Sequence, residues 1–516
     1  MIDTPTIEWW AFMPELVTGI GAIFVLLACM GSGVVSRMLA PLLTLGVLTA
    51  AAVVTVVSDR DVFVDAYAGQ VDSDALAALA RLLAIVAAAV AVAFSWRGRQ
   101  VDHRHGEHHA LILAATAGLC MFASAGSLVT LFVGLELFSI ALYVLCALEA
   151  ERATSLESGL KYLIVGGLSS AVLLYGMTLT YGATGSFILS DIGDASSRGL
   201  LLAAGAAMLV AGLAFKASAA PLHFWTPDVY EGAPTPVTAF MAAATKAAAF
   251  IALTRVLVIC FHQDSAIWEP LIAMLAAASI IVGNLAALAQ ERVKRMLAYS
   301  SIAHAGYMLT ALLAWDGLGI SALAYGLVIY VIMTLAAFAL VTLWERQLGR
   351  PVTFADLRGR GWTPEQGAPW LGVLPAVAML IIMGSLAGLP PTAGFFAKFT
   401  IFGAAVDAGY AWLAMLGVIG SVVSLAYYLR GPIAMLLLSA DEEAQDESMQ
   451  TVADRSLLAG LGVAGAIAVV ALGIFPGVLY ERSCDTRNDL FAQIDRVASG
   501  CNTSQNVSFA SSNNEG

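Results

Sequence analysis

Long apolar segments follow one another along almost the whole chain, and only short polar stretches separate them. A membrane-spanning helix needs about 20 predominantly apolar residues. The pattern predicts fourteen such spans. Their approximate limits are 13–32, 36–57, 75–95, 109–125, 127–148, 158–182, 199–220, 236–261, 267–289, 296–314, 318–344, 370–389 continuing to 405, 410–438 and 457–479. We therefore expect an all-α polytopic membrane protein.

Composition and charge support this class. The chain is 59% hydrophobic and 12% charged, whereas soluble proteins average about 25% charged residues. Much of the net charge of −12 lies in the acidic stretch 441–447, which we interpret as a solvated loop rather than a sign of a nucleic-acid partner. Cytoplasmic loops are rich in lysine and arginine, and that rule predicts that both termini face outward. The first apolar segment is preceded by acids and tryptophans, so we expect a retained helix rather than a cleaved signal.

The seventh span ends in a lysine and a proline, Lys216 and Pro221. A lysine at bilayer depth costs roughly 2.5–3.5 kcal/mol on insertion scales, and a proline interrupts the helix. Broken helices are tolerated in lipid only where protein or a wet cavity takes up the freed backbone groups. The alternative is a kink near a helix end, with the lysine reaching the interface. We predict a functional site here.

The few lysines of the chain are concentrated in predicted spans, whereas arginine serves the loops. Lys161, Lys216, Lys246 and Lys398 fall within spans, and Lys294 falls in a loop. Arginine stays protonated in proteins, but a desolvated lysine can release its proton. This usage indicates an interior that loads and unloads protons. A structural ion pair is the alternative for any single lysine.

The twelfth span repeats the arrangement of the seventh, because Pro390 and Pro391 interrupt it shortly before Lys398. Paired interrupted helices in two halves of a chain indicate inverted repeats around a midplane site. We predict an N-terminal three-helix segment at 1–108, a first repeat at 109–262, a second repeat at 263–439, and a final part at 440–516 that contains the acidic loop, the last helix and an outer tail.

Carboxylates and histidines supply further candidate proton carriers. Glu136 is a lone acid in the fifth span and needs a partner, for which an interior lysine is the natural choice. Lys161 is a candidate relay group, although its spacing from Glu157 also suits an ordinary surface pair. His223 follows Pro221, and His304 has hydroxyl neighbours, so both can relay protons. The alternative for each histidine is a structural role in the core.

Other polar groups carry weaker signals. We interpret Arg81 and Arg255 as structural or as reaching the interface. A histidine-rich stretch is interpreted as a solvated loop rather than a metal site; it contains His103, His105, His108 and His109. The cysteines form no CxxC pair, so we expect no iron–sulfur cluster in this chain. Cys484 and Cys501 lie in the predicted outer tail, where a disulfide between them is our hypothesis.

Three segments, 215–238, 294–307 and 388–399, resemble the signatures of subunit N of bacterial respiratory complex I, the proton-pumping NADH–quinone oxidoreductase. Its mitochondrial and plastid counterparts are each called subunit 2. The resemblance extends from about 109 to 430. It implies an antiporter-like fold of 14 helices with two inverted five-helix repeats and discontinuous seventh and twelfth helices.

The resemblance also implies roles for individual residues. Glu136 matches the fifth-helix glutamate, Lys216 the lysine paired with it, Lys246 the central lysine and Lys398 the lysine of the exit half. NADH, FMN, iron–sulfur clusters and quinone are then expected in other subunits of the enzyme. The implied partners are antiporter-like neighbours and the lateral helix of subunit L, and the implied location is the bacterial inner membrane. Alternatives are a cation/proton antiporter subunit and a structural membrane anchor without transport.

Overall fold

The computed structural model describes residues 8–30, 34–58, 63–96, 105–195, 199–360, 370–439 and 452–492. Helices make up most of this part of the chain. They are α1 (Met13–Ala28), α2 (Val34–Ser58), α3 (Ala66–Gly69), α4 (Ala75–Ser95), α5 (His105–Ala123), α6 (Leu128–Cys146), α7 (Ala153–Thr184), α8 (Leu189–Asp194), α9 (Leu200–Lys216), α10 (Trp225–Gly232), α11 (Thr235–Phe240), α12 (Lys246–Arg255), α13 (Ser265–Leu288), α14 (Val293–Leu312), α15 (Gly319–Leu348), α16 (Trp370–Ala387), α17 (Ala393–Asp407), α18 (Ala411–Tyr428), α19 (Arg430–Leu437) and α20 (Val452–Ile474). A further helix covers 477–492. Two short antiparallel strands, β1 (Phe63–Asp65) and β2 (Val71–Ser73), pair between α2 and α4.

The prediction of a multi-pass helical membrane protein is confirmed. Every predicted span coincides with one helix or with consecutive helices. Within the described residues, 10 helical segments are long and apolar enough to cross a membrane, and Leu200–Lys216 and Val373–Ala387 are shorter apolar helices. The acidic stretch 441–447 lies outside the described residues.

The predicted breaks lie where the prolines indicated. Residues 217–224 separate α9 from α10, and residues 388–392 separate α16 from α17. Each break contains a cis peptide bond before a proline, at Ala220–Pro221 and at Pro390–Pro391. The eighth span is also irregular, since the segments Met241–Thr245 and Val256–Cys260 flank α12 as π-helices.

Glycines allow the closest approaches between the helices. A Cβ at Gly283 of α13 would lie 2.4 Å from the backbone nitrogen of Ala303 on α14, and one at Gly306 would lie 2.8 Å from the carbonyl of Ala276. Small residues let helix backbones approach in membranes, where packing contacts replace the hydrophobic effect as the force between helices. The α13–α14 pair is therefore held in register by its glycines.

We predict that the substitution of glycine by alanine changes the Tm differently at two positions on the helices. Gly283→Ala should lower the Tm of the purified protein in detergent, because the added methyl group overlaps the backbone of α14. Gly167→Ala on α7 meets no atom within 4 Å, and it should leave the Tm unchanged or raise it, since alanine is favoured over glycine in a helix by about 1 kcal/mol. Equal effects at the two positions would contradict the close approach of α13 and α14.

Candidate functional site

Lys216 is buried at the end of α9, where aromatic rings surround it. Its Nζ donates a hydrogen bond to Ser139 Oγ on α6 at 2.8 Å. The same Nζ lies 5.4–5.8 Å from four ring centroids, those of Phe138, Tyr143, Tyr162 and Phe215. Aromatic faces stabilise a cation without supplying a counter-charge. Lys216 therefore has a neutral hydrogen-bond partner.

In this structure Lys216 hydrogen-bonds Ser139 rather than Glu136, and the pairing of Glu136 with Lys216 stays a prediction. Glu136 lies three residues before Ser139 on α6, and the serine hydroxyl takes the place that we expected the carboxylate to fill. Glu136 Oε1 is buried and has no hydrogen-bond partner among the described residues. Ser139 was missed in the sequence because a single serine in an apolar span carries no signal.

Neighbouring helices take up backbone groups that the first break frees. The Ala220 amide donates to Ser279 Oγ on α13 at 2.8 Å, and Trp225 Nε1 donates to the Phe215 carbonyl at 3.2 Å. His223 also lies in this break, and its Nδ1 is buried. Among the described residues it forms no hydrogen bond to an interior lysine.

Lys246 directly follows the π-helical segment Met241–Thr245, and the whole eighth span around it is buried. Its Nζ donates to the Ser301 carbonyl on α14 at 2.5 Å and lies 5.7 Å from the Tyr330 ring centroid. No carboxylate pairs with it in the part of the chain that the structure describes. Single π-helical turns occur often at functional sites, a signal that the sequence did not show.

His304 lies between two of the interior lysines. Its ring centroid is 5.4 Å from that of Tyr330, the ring next to Lys246, and 5.5 Å from that of Tyr307. The Tyr307 ring in turn lies 4.9 Å from the Nζ of Lys398. The structure thus brings Lys246, His304 and Lys398 together through two tyrosines, of which Tyr330 was missed in the sequence.

Lys398 folds back across the second break. Its Nζ donates to the carbonyl of Ala387, the last residue of α16, at 2.8 Å. Gly388 follows with φ +91, and a Cβ there would lie 3.0 Å from Lys398 Cδ. Glycine is required for both reasons, the positive φ and the approach of the lysine. Lys398 therefore satisfies a carbonyl that the break frees, and its hydrogen-bond partner is neutral.

Buried hydroxyl and amide groups line the same region. Asn284 Nδ2 donates to Tyr307 Oη at 3.1 Å, Tyr427 Oη donates to Asn284 Oδ1 at 3.0 Å, and Ser300 hydrogen-bonds Tyr428. A cavity beside Lys246 is lined by Ala242, Leu297, Ser300, Ser301, Tyr330, Thr334, Phe338 and Leu386. Tyr330 Oη and His304 Nε2 are buried without a hydrogen-bond partner in the described residues. Such groups normally bind protein or ordered water.

Lys161 was expected inside a span and Lys294 in a loop, but the structure exposes Lys161 and buries Lys294. The Lys161 side chain is 44% exposed and pairs with Glu157 at 2.7 Å and with Asp228 at 2.9 Å. Lys294, expected in a loop, is only 5% exposed at the start of α14, and it donates to the Ala233 carbonyl at 3.0 Å. The error arose because apolarity placed the start of this helix three residues too late.

The two buried arginines are held by carboxylates. Arg81 pairs with Glu15 at 2.8 Å, and both side chains are at most 2% exposed. Arg255 pairs with Asp72 at 3.3 Å and also with Asp74. Each guanidinium is thus held by carboxylates, unlike the interior lysines.

The prediction of a solvated histidine loop is wrong for three of its members. His105, His108 and His109 are buried in the first turns of α5, because this helix begins four residues before the predicted span. His103 lies outside the described residues. So does Cys501, and the hypothesis of a disulfide with Cys484 stays a prediction.

Three buried amines, those of Lys216, Lys246 and Lys398, thus hydrogen-bond neutral oxygens, and tyrosine rings and His304 lie between the last two. A family model described as NADH:quinone oxidoreductase/Mrp antiporter, TM, matches residues 125–424. NADH-quinone oxidoreductase subunit N of Trichlorobacter lovleyi is 44% identical over 333 residues, which are 63% of this chain and 66% of that protein. The subunit N of Salinibacter ruber is 42% identical over 374 residues, 70% of this chain and 73% of its own.

The chain belongs to the family of NADH-quinone oxidoreductase subunit N. A solved structure of respiratory complex I from Thermus thermophilus with bound aureothin contains a similar chain, with a TM-score of 0.74 and 35% identity. The alignment covers 91% of this chain and 98% of that one. Membership of this family agrees with the antiporter-like helical fold and with a place in a membrane complex.

The buried ion pair between Arg81 and Glu15 can be tested by removing the arginine charge. Arg81→Gln leaves the buried Glu15 carboxylate without its guanidinium, and breaking such a pair costs about 3–5 kcal/mol. We expect a large fall in Tm in detergent. Arg292→Gln removes a partner of Glu231 whose side chain is 55% exposed, and exposed pairs contribute about 0–1 kcal/mol. An unchanged Tm for Arg81→Gln would contradict the assignment of this pair as structural.

Proposed function

We propose that this chain is the proton-translocating membrane subunit N of a NADH–quinone oxidoreductase. The observation that carries the proposal is the set of hydrogen bonds of the interior lysines: Lys216, Lys246 and Lys398 each donate to a neutral oxygen. An ammonium group that is buried without a direct counter-charge can release its proton when its surroundings change. The buried arginines, which cannot release a proton, are paired with carboxylates instead.

The proposed route runs from the inner side to Lys216, on to Lys246, and outward by Lys398. His304 connects the last two lysines, because the rings of Tyr330 and Tyr307 lie on either side of it. Water at the cavity beside Lys246 would carry protons between its hydroxyl groups. His223 assists at the first break. Lys161 has the weakest support as a relay group, since it is half exposed and held by two carboxylates.

The geometry around Ser139 suggests how the first lysine is controlled. With the hydrogen bond from Lys216 to Ser139, Glu136 Oε1 remains buried without a partner. A small movement of the Lys216 side chain toward Glu136 would form an ion pair and hold the proton, and the reverse movement would free it. We propose that charge or conformational changes in neighbouring subunits drive this movement.

The redox chemistry is proposed to lie elsewhere in the complex, so NADH, FMN, iron–sulfur clusters and quinone are bound by other subunits. The proposed partners are antiporter-like neighbours and the lateral helix of subunit L. We place the chain in the bacterial inner membrane with both termini outside. We also propose that 109–262 and 263–439 form the two inverted repeats, one around each break.

Lys246 is the central test of the function. Lys246→Ala should abolish proton pumping by the purified, assembled complex in liposomes, while co-purification of flavin and iron–sulfur subunits continues. Lys246→Arg should fail as well, because arginine keeps the charge and cannot release its proton. A purely structural anchor would tolerate arginine. Pumping at the full wild-type proton-to-electron ratio in either variant would refute the proposal.

A second prediction concerns the partner of Lys216. Ser139→Ala removes a hydrogen bond to a charged group, worth about 1.5–3 kcal/mol, and it should lower the pumping rate roughly tenfold. Ser170→Ala on α7 is the matched control, because this buried hydroxyl has no hydrogen-bond partner among the described residues. Its rate should equal that of the wild type. Wild-type pumping by Ser139→Ala would show that Ser139 does not take part.

A further inference from the structure

A cluster of charged groups outside the relay lies on the predicted inner face. The loop 147–152 meets the ends of α10 and α15 and the starts of α11 and α14 there. Glu149 of this loop has a side chain that is 12% exposed, and its Oε2 pairs with Arg152 at 2.9 Å. Its Oε1 is buried without a hydrogen-bond partner in the described part of the chain. A half-satisfied, nearly buried carboxylate requires an explanation.

Lys294 connects this loop to the start of the eighth span. Its Nζ donates to Thr235 Oγ1 at 3.0 Å as well as to the Ala233 carbonyl. Thr235 is the first residue of α11, and its hydroxyl also hydrogen-bonds Glu345 at the end of α15. Two acids and a buried amine therefore surround the beginning of the helical span that carries Lys246.

The electrostatic surroundings of Glu149 favour its protonated form. Burial raises the pKa of Glu149, and the nearby Glu345 acts in the same direction, whereas Arg152 and Lys294 act against them. Arg152 belongs to the same loop as Glu149, and Lys294 and Glu345 belong to α14 and α15. The carboxyl group therefore holds a proton at higher pH than a solvated glutamate does.

Polar groups continue from this cluster toward the central lysine. Thr235 and Lys246 are eleven positions apart, about 16 Å along a helix. Thr238 Oγ1 donates to the Tyr230 carbonyl at 3.0 Å, and Tyr330 and Ser301 line the cavity beside Lys246. Lys294 and Ser301 are two turns apart on α14 and so share one side of it. Ser301 is the residue whose carbonyl binds Lys246.

We propose that Glu149 is the proton-loading carboxylate of an inner-face entrance that supplies Lys246 directly, separate from the route through Lys216. The entrance consists of Glu149, Lys294, Thr235 and Glu345, and its protons pass along Tyr230 and Ser301. In the described residues no hydrogen bond joins this cluster to Glu136 or Lys216. The inference rests on the proposed function, since it adds a second supply of protons to Lys246, the central lysine of the proposed path.

The test uses Glu149→Gln in the assembled complex in liposomes. The pumping rate should fall roughly tenfold or more, as for the loss of a positioned proton donor. Imidazole or acetate added on the inner side should restore it, because the loop that carries Glu149 lies on the predicted inner face and the side chain is 12% exposed. Glu149→Asp should retain most of the rate. Glu151→Gln is the matched control, since Glu151 is an exposed acid of the same loop, and it should pump as the wild type does.

Two results would overturn the inference. One is wild-type pumping by Glu149→Gln, and the other is slow pumping that neither buffer restores and that accompanies a lowered Tm, which would show a structural role. Lys246→Arg, measured in parallel, separates this failure from that of the proposed function. If Lys246→Arg fails to pump while Glu149→Gln pumps normally, the function stands and only the entrance is refuted.

Discussion

Every buried positive charge needs a hydrogen-bonding partner, and this requirement is the constraint on which the structure depends. Taking a charge out of water costs several kcal/mol, and this chain meets that cost in two different ways. Arg81 is held by the carboxylate of Glu15, which fixes it as a permanent ion pair. Lys216, Lys246 and Lys398 instead hydrogen-bond a hydroxyl or a carbonyl. The arginines are thus fixed by opposite charges, whereas the three lysines are held by neutral oxygens.

The helix breaks free backbone groups near two of these lysines. Within a continuous helix most carbonyls already accept a hydrogen bond from their own helix. At the second break the Ala387 carbonyl is freed, and Lys398 binds it. At the first break Ser279 and Trp225 bind backbone groups near Lys216. The same irregularities that would destabilise an ordinary span thus create polar positions deep in the bundle, and aromatic rings exclude lipid from them.

The sequence predicted features that depend on local patterns. Apolar length predicted segments that are all helical in the described residues, and prolines located both breaks, since each signal acts through a few neighbouring residues. The burial of a lysine side chain was predicted correctly in the middle of a span, as at Lys246. Near helix ends the prediction was wrong, since Lys294 is buried and Lys161 is half exposed. Burial at a helix end depends on loops from distant parts of the chain.

Partners across the bundle could not be predicted from the sequence. Charge alone suggested Glu136 as the partner of Lys216, and the structure adds Ser139 of α6 as the group that Lys216 hydrogen-bonds. The sequence around Tyr330 is an ordinary apolar span, and only the tertiary structure shows that its ring lies between Lys246 and His304. The burial of His108 also depends on helices that are distant in the sequence. The apolar pattern indicates which segments are helical and buried in the membrane. The partner of each polar side chain, however, depends on which residues the neighbouring helices place beside it.

The most direct measurement is a cryo-electron microscopy map of the assembled complex at a resolution that shows ordered water. The account predicts waters that join Lys246, the Tyr330 hydroxyl and His304 Nε2, with further waters reaching Lys398. A dry, apolar gap between Lys246 and Lys398 in every state of the complex would contradict proton movement along this path.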